Sequence, residues 1–145
     1  FIKTKHQRMQ LDLTITLPGL FDLENMVHLS NDLNIELLTK QVFNFTNDNA
    51  MAPLFMPYDI MSEIIDDARS KTIKYKNPHL KNFFNQLDEM QSQKRNNELI
   101  YSEEEYKIGQ KKGKAEVERL DKIRKTDIKK ILAKNKKALE WWTSI

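Results

Sequence analysis

The sequence predicts an α/β fold in which a strand, a helix and a second strand form one parallel unit, followed by an α-helical tail. Three observations carry that expectation. Met9 to Leu17 alternate, with Leu11, Leu13, Ile15 and Leu17 on one face and Asp12, Thr14 and Thr16 on the other, which is the period of two of a half-buried strand. After Asp22, the residues Leu23, Met26, Val27, Leu29 and Leu33 recur at three-to-four spacing, the period of a helix. Ile35 to Phe45 is then rich in branched and aromatic side chains, as strands are. Two strands joined through a helix should lie parallel with a right-handed crossover, because an antiparallel hairpin needs only a short turn.

Pro18-Gly19 is expected to end the first strand as a turn, since proline has no amide proton and glycine accepts a positive φ. Asp22 is the N-cap candidate of the first helix and Asn34 its closing residue. The stretch from Thr46 to Pro57 holds an Asn/Asp cluster and then two prolines, so it reads as a loop. Its Met51, Leu54, Phe55 and Met56 are apolar enough to fold back on the sheet, and Pro57 suits the first position of the next helix. That helix, from about Tyr58 to Lys71, puts Ile60, Met61, Ile64, Ile65 and Ala68 on one face. Glu63, Asp66 and Asp67 lie off that face, where a solvated surface explains them better than a metal or acid–base set.

Pro78 can open the following helix, whose Leu80, Phe83, Phe84, Leu87 and Met90 form a core stripe. The apolar pattern stops from Gln91 to Asn97, the expected boundary before the tail. Ser102 and Glu105 make a capping box, with Tyr101 and Tyr106 placed for a hydrophobic staple. Gly109 and Gly113 weaken the middle of that helix, each costing about 1 kcal/mol relative to alanine, and Ala115, Leu120 and Ile123 are its expected apolar seam. One last helix starts near Thr126-Asp127 and should dock through Ile128, Ile131, Leu132, Leu139 and Trp142. The expected organisation is therefore 1–57 for the strand–helix–strand part, 58–97 for a helical extension packed on it, and 98–145 for a basic helical tail.

Composition narrows the function classes. The 145 residues contain no cysteine, which excludes disulfides and thiolate-ligated clusters within these residues. His6, His28 and His79 are too far apart in sequence to have ligand-spaced partners. No run nears the roughly 18 apolar residues of a membrane span and no signal peptide is visible, so no membrane partner and a cytoplasmic location are expected. Residues 101–145 carry 13 Lys/Arg against 8 Asp/Glu, and the net charge of +3 comes from this tail. Lysines from Lys107 to Lys137 could neutralise phosphates of a nucleic acid. Few arginines and no interleaved aromatics supply base reading or stacking, so a solvated helical face is the better reading. Trp141 and Trp142 suggest a protein partner, because large aromatics are enriched at interfaces. The chain begins Phe1-Ile2-Lys3, and we expect a C-terminal part of a longer protein.

Three stretches, Leu13-Thr-Ile-Thr-Leu-Pro-Gly-Leu-Phe-Asp22, Thr39-Lys-Gln-Val-Phe-Asn-Phe45 and Met51-Ala-Pro-Leu-Phe-Met-Pro57, resemble the C-terminal end of the catalytic half-barrel of radical S-adenosylmethionine proteins, in their twitch-domain branch. They are similar to the fifth strand and its turn, the sixth strand, and the loop that leaves the barrel. The resemblance covers under half of the chain. It implies a partial (β/α) barrel that surrounds S-adenosylmethionine and substrate, with a 4Fe-4S cluster held by a C-x-x-x-C-x-x-C loop in the missing N-terminal half. Leu17, Gly19 and Asp22 fall in the apolar, glycine and acidic places of an adenosine-contacting G-x-I-x-G-x-x-E pattern, while Ile15 stands where its first glycine would be. Asn44 is the further cofactor-binding candidate and Lys40 the substrate-facing one. The corresponding strand ends are where open α/β sheets bind ligands in any case. The resemblance thus implies the C-terminal piece of an enzyme, inactive alone, and the alternative is a non-enzymatic α/β module whose basic helices contact nucleic acid or a protein.

Overall fold

A computed structural model describes residues 9–42, 51–95 and 102–145. The fold is mixed α/β and mostly helical, with one small parallel sheet of two strands. Strand β1 (Gln10–Ile15) pairs in parallel with β2 (Glu36–Gln41), Leu11 opposite Leu37 and Ile15 opposite Gln41. Helix α1 (Leu23–Leu33) connects them.

Strand β1 stops two residues earlier than its alternation suggests. Leu17 has helical backbone angles and starts a 3-10 turn, Pro18–Asp22. The Thr16 carbonyl accepts the Leu20 N–H at 3.1 Å, so the chain winds up rather than continuing the ladder that Pro18 cannot support. Gly19 does not take the expected positive φ. Its N–H instead donates to Thr16 Oγ1 at 3.1 Å, and a Cβ there would sit 3.0 Å from the same oxygen. Asp22 occupies the N-cap position of α1 without capping it. The 3-10 turn runs directly into the helix, and the Asp22 carboxylate accepts from Asn25 Nδ2 at 2.6 Å.

Asn34 closes α1 as expected, in the left-handed conformation with φ 51°, which asparagine tolerates better than most residues. Ser30 Oγ donates to the Ile35 carbonyl at 2.7 Å and fixes the exit into β2. Strand β2 covers Glu36–Gln41 of the expected 35–45; Phe43, Asn44 and Phe45 lie outside the described residues. Met51, Leu54, Phe55 and Met56 fold back on the core, and Leu17 N–H donates to the Met51 carbonyl at 2.7 Å.

Helix α2 (Tyr58–Thr72) buries Ile60, Met61, Ile64, Ile65 and Ala68, and leaves Glu63, Asp66 and Asp67 exposed. Pro57 precedes it as N-cap rather than as its first residue. Pro78 opens a short turn into α3 (Lys81–Arg95), which buries Phe83, Leu87 and Met90 beneath Leu80. The apolar pattern ends at Gln91, yet α3 continues four residues further. Polar contacts hold that end: Gln41 Nε2 donates to Gln93 Oε1 at 2.9 Å, and Lys94 Nζ to the Leu54 carbonyl at 2.7 Å.

Helix α4 (Glu103–Arg124) has the predicted capping box, with Ser102 N–H on Glu105 Oε2 at 2.8 Å and Glu105 N–H on Ser102 Oγ at 3.3 Å. Tyr101, the other half of the expected staple, lies outside the described residues. The buried face of α4 is Gly109, Gly113 and Val117, spaced by four. The expected seam is displaced: Ala115 is exposed, Ile123 is 64 % exposed and Leu120 is half-buried. The glycines do not interrupt the helix; they are part of its inner face.

The single final helix expected from the sequence is two. Helix α5 (Ile128–Leu132) ends at Ala133, and α6 (Lys136–Ser144) starts from Asn135, whose side chain accepts the Ala138 N–H at 3.0 Å. Asparagine competes with a continuing helix by offering this cap. Ile128, Leu132, Ala138 and Trp142 enter the core from the two pieces, Leu139 flanks it, and Ile131 is 38 % exposed. Side chains from 1–57, 58–97 and 98–145 join one apolar core. Among the described residues, no helix is long and apolar enough to cross a membrane.

Candidate functional site

The two-stranded sheet has a covered face and an open one. Leu11, Leu13, Ile15, Leu37, Thr39 and Gln41 turn toward the core, whereas Asp12, Thr14, Leu38 and Lys40 are exposed. Lys40 therefore stands on the open face, where its Nζ lies 3.1 Å from Asp12 Oδ2 on the neighbouring strand. Both groups are more than half exposed, and a pair so solvated contributes little to stability.

Strand β1 also has an edge that no strand covers among the described residues. The Ile15 carbonyl accepts the Val42 N–H at 2.9 Å. In a parallel ladder each residue directs both its N–H and C=O to the same side, so Leu11, Leu13 and Ile15 face β2. The peptide groups of Gln10, Asp12 and Thr14 point the other way, where no described strand meets them.

Helix α1 has two unlike flanks. One side of α1 carries Glu24 and His28 toward α2: Glu24 pairs with Lys71 at 3.3 Å, and His28 Nδ1 is 2.5 Å from Tyr75 Oη. His28 and Lys71 hold the Glu24 carboxyl below its ordinary range, and Asp67, then Glu24, raise the Lys71 ammonium. This network sets the Lys71 ammonium between the Glu24 and Asp67 carboxylates and borders a polar cleft of about 480 Å³. The opposite side of α1, a hundred degrees or so beyond the buried Val27, presents Met26, Leu29 and Leu33 at spacings of three and four. Leu29 is 42 % and Leu33 49 % exposed.

The candidate cofactor residues cluster at the carboxyl end of β1 but differ in what they offer. Leu17 is wholly buried in the core, with its N–H engaged by Met51. Gly19 is half-buried, its N–H taken by Thr16, and Asp22 is exposed. Asn44 lies outside the described residues. No set of histidine and carboxylate groups able to hold a metal occurs among the described residues. Trp142 belongs to the chain's own core, while Trp141 remains partly exposed.

A second cleft, of about 650 Å³, was not visible in the sequence pattern. It lies where the start of α4, the end of α3, the Phe55 turn and the end of α6 meet, and Tyr106, Lys107, Gln110 and Lys111 project into it from α4. The only sequence signal is that these residues recur at one and four along a helix, a pattern that also describes an ordinary solvated face. No family model, curated protein or solved structure matches this chain.

Proposed function

We propose that the chain is the C-terminal end of the catalytic half-barrel of a cytoplasmic radical S-adenosylmethionine enzyme, completed by an upstream half that holds the 4Fe-4S cluster. Two observations carry this reading: an edge of β1 that no described strand covers, and an apolar flank on α1. Parallel sheets are stable when helices and further strands enclose them, and two strands alone make a marginal sheet. A preceding strand would pair with Gln10, Asp12 and Thr14, and its helix would cover Met26, Leu29 and Leu33. The resemblance of 13–57 to the end of that half-barrel supplies the identity of the missing part.

On this reading the open face of the sheet lines the barrel interior, as inward strand positions do. Lys40 then faces substrate, with Asp12 setting its position. Fit to the cofactors is partial. These residues contain no thiolate, so the cluster and the electron chemistry it supplies belong to the upstream half. For S-adenosylmethionine, the Leu17 side chain is committed to the core and the Gly19 N–H to Thr16, which leaves the Leu17 and Gly19 carbonyls and the exposed Asp22 carboxylate as contacts. The alternative of a nucleic-acid module is less well supported. Several tail cations already have partners: Lys107 with Glu103, Arg119 with Glu116, Lys136 with Glu140 and Lys137 with Glu63.

The test is anaerobic expression of the whole coding region that includes these residues. A brown protein that releases 5′-deoxyadenosine from S-adenosylmethionine under reducing conditions is expected, with the reaction reduced in Lys40→Ala. A coding region without a C-x-x-x-C-x-x-C loop, or a product without iron, refutes the proposal.

A further inference from the structure

The cleft at the start of α4 combines an aromatic wall with more ammonium than carboxylate groups among the described residues. Phe55 and Tyr106 meet edge to face, their centroids 5.4 Å apart at 65°, and Trp141 lines the same space. Gln110 Nε2 donates to the Phe55 carbonyl at 2.9 Å, which ties α4 to the turn that carries the Phe55 ring. Lys94 reaches in from α3, its ammonium 5.7 Å from the Tyr106 ring centre. Burial pushes the Lys94 ammonium down from its ordinary range, and the Leu54 carbonyl holds it in place. Lys107 and Lys111 stand at the mouth. Lys107 is paired with Glu103 at 2.9 Å, and Lys111 makes no ion pair among the described residues. Three ammonium groups thus line this cleft against the Glu103 carboxylate and, in the 145-residue chain, the terminal carboxylate of Ile145.

A volume of this size is typical of small-molecule sites, which are mostly apolar with a few placed polar groups. Planar rings stack on exposed aromatic side chains regardless of their substituents. The cations are all lysines. Lysine is a compact point charge suited to a phosphate, whereas carboxylates are characteristically taken in two-point fashion by arginine.

We infer that this cleft binds a mononucleotide, its base against Tyr106 and Trp141 and its phosphate at Lys107 and Lys111. The site is separate from the strand ends and stands independently of the enzyme proposed above. Occupancy would also tie the ends of α3, α4 and α6 together.

Titration calorimetry of the 145-residue chain with adenosine 5′-monophosphate tests the inference, with adenosine and inorganic phosphate as separate arms. The monophosphate should bind at millimolar concentration or below, and each half-ligand about tenfold more weakly. Lys111→Gln should weaken the monophosphate by about tenfold and leave adenosine unchanged; Trp141→Leu should weaken both. Lys122→Gln, on α4 outside the cleft, should change nothing. Lys111 is exposed, so its variant keeps the fold, which far-ultraviolet circular dichroism verifies. No binding at millimolar monophosphate, or equal affinity in wild type and Lys111→Gln, overturns the inference. So does a neutral nucleoside that binds as tightly as its phosphate.

Discussion

Trp142 is the largest wholly buried side chain among the described residues, and it holds down the part of the chain least able to fold alone. Helices α5 and α6 span five and nine residues, and isolated helices below about 12–15 residues are marginal in water. Their stability must come from Ile128, Leu132, Ala138 and Trp142 in the core, and from Lys114 Nζ on the Trp142 carbonyl at 2.7 Å. Truncating a buried tryptophan to alanine costs about 3–5 kcal/mol, against a total stability of about 5–15 kcal/mol for a domain. With a urea dependence of about 2 kcal/mol per molar, Trp142→Ala should lower the unfolding midpoint by about 2 M. Trp142→Phe separates packing from polarity. The indole N–H is buried without an acceptor among the described residues, and an unpaired buried donor costs about 1–3 kcal/mol. Phenylalanine removes that cost while leaving a smaller void, so the variant should stay within about 1.5 kcal/mol of wild type. Urea unfolding followed by circular dichroism reads both. A Trp142→Ala midpoint within about 0.3 M of wild type, or a phenylalanine variant as damaged as the alanine one, refutes this account of the tail.

Four further outcomes are expected. Ser102→Ala removes the cap of α4 and should cost about 1 kcal/mol, seen as faster amide exchange through Glu103–Glu105; unchanged exchange there would count against the cap. Gly19→Ala needs no strained φ, and its Cβ would press only on the Thr16 side chain, so thermal unfolding should show a change within about 1 kcal/mol, and a larger loss would contradict this account of the turn. Lys40→Ala should move stability by less than about 0.5 kcal/mol, since Asp12 and Lys40 are solvated, so a large shift in unfolding midpoint would place Lys40 in a structural role. Acid unfolding follows from the carboxylates of Glu24, Glu63 and Glu105, lowered from 4.5 chiefly by His28, Lys137 and Ser102 respectively. Their folded pKa lies below the unfolded one, so their stabilisation is present above about pH 4.5 and is lost as pH falls through the lowered values. The urea midpoint should be level from neutral to about pH 5 and decline below, and a midpoint constant to about pH 3 would contradict the assignment.

Local chemistry in the sequence determined a good part of the fold. The alternation of Leu11, Leu13 and Ile15, the helical spacing from Leu23 to Leu33, and the intervening length favoured a parallel pair, because parallel neighbours need a long crossover that a helix supplies. Asn34 and Ser102 acted as predicted because a left-handed cap and a capping box depend on neighbours within a few residues. Where the outcome depended on distant partners, only the tertiary structure decided it. Leu17 alternates like a strand residue, yet it leaves the ladder because Met51 takes its N–H and Thr16 accepts from Leu20. Gly109 and Gly113 look like weak points until the core is seen to lie against them, and that placement turns Ala115 and Ile123 to water. Asn135 breaks the last helix because its cap on Ala138 comes with a 3.2 Å donor bond to Glu63 on α2. The open face bearing Lys40 and the cleft bearing Tyr106 and Lys111 belong to the same class. Each is built from residues on separate elements, and sequence periodicity records the face of a single element but not which faces meet.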